Sequence, residues 1–167
     1  MSVRRVGVVL GMALSLLSAC SAGSPDDAVP GLLPEERAIY QMLALELEGF
    51  RAKKYKAEDG ICVGVHRTPN SSEMSAVSPR LLRALEANVA GSPKLIPYSP
   101  DRCGTEVFGN APTVPKVPWL LYASDVNDHP DWDAGFVCGG LCGWGHLYRV
   151  EIDGHDVSVR VIVDWIS

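Results

Sequence analysis

Apolar positions recur at a helical period in LPEERAIYQMLALELEGFRAKKY, residues 33–55, where Ile39, Met42, Leu43, Leu47 and Phe50 fall on one stripe. Pro34 suits a first turn, Glu35 and Glu36 its positive end, and Arg51, Lys53 and Lys54 the negative end. The segment therefore reads as an amphipathic helix laid on a sheet. GICVGVHR, residues 60–67, alternates as a strand does and carries Cys62. SPRLLRALEANVAG, residues 78–91, opens on a Ser-Pro start and stops at Gly91, which predicts a short second helix. KLIPYSPDRCGT is a brief extended run entering a turn with Cys103, and VPWLLYASDV is a further strand. DAGFVCGG, HLYRVEI and VSVRVIVDWI predict three more.

The last two form the clearest hairpin. Tyr148, Val150 and Ile152 alternate with Leu147, Arg149 and Glu151, while Val157, Val159, Val161, Val163 and Trp165 alternate with mostly polar neighbours. Between the runs lies Asp153-Gly154, a dipeptide suited to a tight turn because both central positions accept positive φ. The pattern predicts one α+β domain over residues 35–167: an N-terminal amphipathic helix and a short second helix packed on a largely antiparallel sheet of about five to six strands.

The N-terminus changes the picture. MSVRR supplies a basic start, and VGVVLGMALSLL, Val6 to Leu17, is an uncharged run of about a dozen residues, the length of a signal-peptide core and too short to span a bilayer. Leu17-Ser18-Ala19-Cys20 resembles the lipobox of bacterial lipoproteins. That resemblance implies a signal peptide over residues 1–19, cleavage before Cys20, and acyl chains on Cys20 that hold the protein to a membrane. Residues 20–34 then read as the lipidated cysteine and a flexible tether. Ser21, following the cysteine, resembles the pattern of lipoproteins sent to the outer membrane, facing the periplasm, where an organism has two membranes.

Losing residues 1–19 removes Arg4 and Arg5 and no acid, so the formal net charge goes from -5 to -7 over 148 remaining residues. That balance argues against nucleic acid, which needs a basic footprint, and leaves room for one core.

The end of the chain, FVCGGLCGWGHLYRVEIDGHDVSVRVIVDWIS, resembles the C-terminal signature of a diffuse set of uncharacterised exported bacterial proteins. These carry a Cys-Gly-x-Leu-Cys-Gly-x-Gly turn, a strand, an Asp-Gly hairpin and a terminal Trp-Ile-Ser. GICVGV, the PRLLRAL helix, IPYS and a following cysteine resemble the same set upstream; His155-Asp156 departs from its usual lysine and tryptophan. The resemblance brings a fold and an address, and no activity. With Cys20 acylated, Cys62, Cys103, Cys138 and Cys142 remain, and four cysteines allow three pairings. The resembling segments favour Cys62 with Cys103 and Cys138 with Cys142, disulfides suited to an exported protein.

Candidate chemistry gathers in two places. A metal reading would recruit Cys138, Cys142, His146 and His129, and a thiol-exchange reading would use the Cys138/Cys142 pair; oxidation disfavours the first, and the three-residue gap followed by a strand disfavours the second. SDVNDHPDWDAG brings Asp125, Asp128, His129, Asp131 and Asp133 together, as a calcium loop, as an acid-base pair or, more simply, as a solvated loop. His66, His146 and His155 read as surface or structural residues. Trp144, in the glycine-rich turn, is expected to be exposed and available for partner contact. The expectation is an envelope lipoprotein that binds a protein or small ligand, without enzyme activity, cofactor or metal. The alternative is an envelope hydrolase using the 125–133 cluster or a thiol-redox protein using Cys138 and Cys142, favoured if a histidine sits in a deep cleft held by an aspartate.

Overall fold

The computed structural model describes residues 31–66, 74–88, 91, 93–103, 119–125, 131–138 and 143–166. The expected signal peptide, Cys20 and the tether up to residue 30 lie outside them, as do His129 and Cys142. In chain order the elements are α1 (Pro34–Ala52), β1 (Ile61–His66), β2 (Ser75–Ala76), α2 (Pro79–Asn88), β3 (Leu95–Pro97), β4 (Trp119–Asp125), β5 (Asp131–Cys138), β6 (Gly143–Asp153) and β7 (Asp156–Ile166). The strands form one sheet in the order β2-β1-β4-β5-β6-β7, with β3 beside β1. The α+β class is as expected. The sheet is mixed, because β1 runs parallel to both β3 and β4 while its other pairings are antiparallel.

α1 forms where its caps and stripe predict. Glu36 accepts a hydrogen bond from the Leu33 amide at 3.0 Å, satisfying a donor at the helix start. Its other oxygen accepts from the Ser78 hydroxyl at 2.7 Å, and that hydroxyl oxygen accepts from the Leu81 amide at 3.1 Å, capping α2. Arg80 adds an ion pair to Glu36 at 3.0 Å. Burial pushes the Glu36 carboxyl up, but the Ser78, Leu33 and Arg80 contacts outweigh it and hold the group below the usual carboxylate range. One acid therefore joins the starts of both helices.

The core has two parts, one on each side of the sheet. Ile39, Met42, Leu43, Leu47 and Phe50 of α1 meet Ile61, Val63, Val65, Leu121, Ala123, Ala134, Phe136 and Tyr148, with Leu81 and Leu85 of α2 at one end. On the opposite side Cys62, Ile96, Cys103 and Leu120 pack with Met74 and Tyr98. The Cys62–Cys103 disulfide lies there, tying β1 to the turn after β3.

Two expectations about the terminal hairpin are corrected. Unbroken alternation would put Val157 through Trp165 on one face, but the register shifts between Leu147 and Tyr148, which oppose Val163 and Val161. The unmatched Ile162 is a β-bulge, so Val163 and Trp165 fall on the face opposite to Val157, Val159 and Val161. Trp144 is not exposed. β6 begins at Gly143, earlier than the glycines suggested, and Trp144 turns inward at 7% exposure. Its ring stacks on Phe136 at 5.0 Å and Tyr55 at 4.9 Å, with the Lys53 Nζ 4.5 Å from the ring centroid. Burial there removes it as a partner contact.

The glycines beside Trp144 have a packing role. Gly135 and Gly145 are register partners across β5 and β6. A Cβ on Gly145 would stand 2.2 Å from the Ala134 carbonyl oxygen, 2.8 Å from the Gly135 Cα and 2.9 Å from the Trp165 ring. Two of those atoms are backbone and cannot swing aside. Gly145→Ala is expected to cost about 2–3 kcal/mol, the upper part of the overpacking range, read as a lowered urea midpoint. An unchanged midpoint would mean that the strands part to admit the methyl group.

Candidate functional site

Glu46 lies on the apolar stripe of α1, three residues after Leu43 and four before Phe50, and its side chain has no exposed surface. The helix therefore pushes a carboxylate into the core. β6 receives it. His146 Nδ1 lies 2.5 Å from Glu46 Oε1, and the Tyr148 hydroxyl donates to the same oxygen at 2.6 Å. His146 and Tyr148 are two apart on β6 and so share a face; Trp144 lies two residues further along it.

Burial pushes the Glu46 carboxyl above the usual carboxylate range, against the pull of Tyr148, His146 and the nearby Lys53 charge. The Tyr148 hydroxyl is raised in turn, by burial and by Glu46 beside it. Tyr148 donates to Oε1, so an ionised Glu46 takes its second hydrogen bond there from His146 Nδ1–H, and Nε2 points outward. There it comes within 3.5 Å of Asp164 Oδ1 on β7, its register partner; the side chains are 31% and 80% exposed. Glu46 Oε2 meets no hydrogen-bond donor among the described residues.

The arrangement is a chain from buried acid through histidine to surface acid, joining α1, β6 and β7. Its partners among the described residues include no serine or thiol, and its visible effect is to orient an imidazole. The condition that would favour an enzyme is met in part: a carboxylate holds His146, but it is a glutamate, and the ring is open to solvent.

The other anticipated residues fall elsewhere. Asp131 and Asp133 belong to β5 rather than to a loop. Arg149 clamps Asp131 with Nε and Nη2 at 2.7 and 3.2 Å, and the fork raises the guanidinium further. Asp133, on the sheet face away from α1, accepts from the Tyr122 hydroxyl and the Trp165 indole, both at 2.8 Å. Burial and then Asp133 push the Tyr122 hydroxyl up. Asp125 closes β4, and Asp128 and His129 lie outside the described residues. His66 ends β1, and the backbone carbonyl of His155 accepts from Arg37. Cys138 is disulfide-bonded, with its expected partner Cys142 outside the described residues.

Sequence reasoning missed Glu46 and Asp164. For Glu46 a signal existed: an acid on the buried stripe of an amphipathic helix needs a partner inside the fold. Asp164 had none, because its approach to His146 depends on the bulge that resets β7. Among the described residues no helix is long and apolar enough to cross a membrane, and no group of three or more His, Cys, Asp or Glu is placed to hold a metal ion together. Compared with family models, curated proteins and solved structures, the chain matches none.

Proposed function

We propose that this is an exported envelope lipoprotein, anchored through acyl chains on Cys20, that works by binding an extended segment of another envelope protein. The observation carrying the reading is the edge of the sheet that β7 leaves unpaired among the described residues. β7 closes the strand order, and its Val161, Ile162 and Val163 are 50%, 43% and 53% exposed. Exposed contiguous aliphatic residues on a sheet edge invite a partner chain. The bulge at Ile162 interrupts the ladder there, which favours a short, specific contact over open-ended strand pairing.

Charge narrows the partner. A groove of about 380 Å³ is lined by Arg149, Arg160, Val161 and Ile162. Arg160 holds Glu151 through Nη2 alone, leaving guanidinium donors for a second carboxylate. An extended segment mixing aliphatic and acidic residues fits both halves of this lining. The hydrolase reading draws less support, because Asp131 and Asp133 already serve Arg149, Tyr122 and Trp165. The thiol-exchange reading meets Cys138 on a strand and already oxidised.

The test places a photo-crosslinking amino acid at Ile162 and, as control, at the exposed Arg83 of α2, in intact cells. A discrete adduct in the membrane fraction from position 162, absent from 83 and lost in Cys20→Ala, is expected. Identical ladders from both positions, or no adduct at 162, would overturn the reading.

A further inference from the structure

We propose that His146 and Asp164 form a binding site for a divalent transition-metal ion of zinc-like chemistry, with Glu46 as the residue that orients the histidine. The site is independent of the β7 edge contact and differs from the cysteine-based metal set that the sequence suggested, keeping only His146.

Three observations converge. The first is orientation: Glu46 Oε1 and His146 Nδ1 are 2.5 Å apart, which fixes the ring with Nε2 facing outward, where that nitrogen, once unprotonated, offers its lone pair to an ion. Metal-bound histidines almost always have their second nitrogen held in this way by a carboxylate or carbonyl. The second is spacing. Asp164 Oδ1 stands 3.5 Å from Nε2, long for a hydrogen bond. Bonds of about 2.0–2.1 Å at a tetrahedral angle put two ligand atoms about 3.4 Å apart, so the pair is spaced as two ligands of one ion.

The third is charge. Glu46 is buried with Oε2 unpartnered among the described residues, and Asp164 adds a second acid beyond the ring. Two carboxyl groups thus flank the ring, with Lys53 of α1 near Glu46. A dication on Nε2 would offset both. The mixed nitrogen and oxygen donors suit zinc, nickel or copper better than calcium or magnesium. Asp164 is 80% exposed, so water has room to fill the remaining positions. The two ligands come from neighbouring strands in register, so little ordering is needed when the ion arrives.

The test is calorimetric titration of the purified, oxidised full-length chain with zinc chloride, alongside nitrogen NMR of the histidine rings. One zinc per chain with a micromolar Kd is expected, with the shift on zinc addition at His146 Nε2 and a proton on Nδ1 before it. Asp164→Asn, an exposed change that leaves the core alone, should weaken binding about tenfold, and His146→Ala should abolish it. Glu46→Gln should weaken it about 10–100-fold, the range for groups that orient a metal ligand, while shifting the tautomer signal. No saturable binding below millimolar zinc, binding unchanged in Asp164→Asn, or a zinc shift at another histidine would each overturn the proposal.

Discussion

Replacing both halves of the buried disulfide, Cys62→Ala with Cys103→Ala, is expected to lower the unfolding free energy by about 4 kcal/mol. The bond closes a loop with a sequence separation of 41, and the chain-entropy relation gives about that value for a ring of this size. The local structure makes the bond matter. β3 is three residues long and meets β1 through Ile61↔Leu95, Cys62↔Ile96 and Val63↔Pro97, with the Ile61 amide donating to the Lys94 carbonyl before them and the Tyr98 amide to the Val63 carbonyl beyond them, both at 2.9 Å. Among the described residues the second core beneath holds four that are buried, two of them these cysteines. Without the crosslink the segment from β3 to the Cys103 turn is held by these pairings and by the packing of Leu95 and Ile96. A domain of this size has a total stability of about 5–15 kcal/mol, so the reduced chain is left marginal. Urea unfolding tests this: the midpoint should fall, and the slope should rise because the unfolded chain expands. A midpoint loss equivalent to under about 1 kcal/mol would locate the bond's effect in packing rather than loop closure.

The parts of the fold that were legible are those written locally. α1 was marked by Pro34, its end charges and the stripe from Ile39 to Phe50; α2 by Ser78-Pro79; the final hairpin by Asp153-Gly154. What was hidden depends on partners far along the chain. The parallel pairing of β1 with β4 sets Cys62 opposite Leu120, a neighbour 58 positions away that alternation cannot reveal. Trp144 was misplaced because Gly143 and Gly145 read as a turn. Gly145 is instead small to let β6 approach Gly135, and that approach carries Trp144 into the core. Asp131 and Asp133 read as solvated loop residues; tertiary donors, Arg149 and the Tyr122 and Trp165 side chains, let polar positions belong to a strand. The candidate site was the least legible part. Its centre joins residues 100 and 102 positions apart in sequence, and only Glu46's place on the buried face of α1 hinted at it.

That buried acid sets the second large expectation, which concerns pH. The native chain holds the Glu46 proton more tightly than the unfolded chain, because burial raises this carboxyl. Glu46 therefore favours folding below about pH 4.3, the unfolded glutamate value, and loses that contribution as pH rises through its native value. Glu36 has the opposite sign: its partners hold it ionised, so its contribution is present above the unfolded value and is lost as pH falls through the native one. The two slopes oppose each other in the whole protein, so a variant is needed to separate them. Glu46→Gln keeps an oxygen for Tyr148 and has no charge to bury. Its stability relative to the native chain should climb with pH across that window, by up to about 1.4 kcal/mol per pH unit. His146→Ala does the reverse at neutral pH: it takes a hydrogen-bond donor from the carboxylate beneath α1 and should cost about 3 kcal/mol, the upper end of the penalty for leaving a buried acceptor short of a partner. Glu46→Gln in the same chain should recover more than half of that loss, because the cost lies in the uncompensated charge rather than in the missing ring. Urea melts of the native chain and the three variants at pH 4 to 8 measure all of these differences. A Glu46→Gln difference that stays flat with pH, together with no recovery in the double variant, would mean that His146 acts by filling space and that Glu46 ionises in the folded protein as readily as in the unfolded chain.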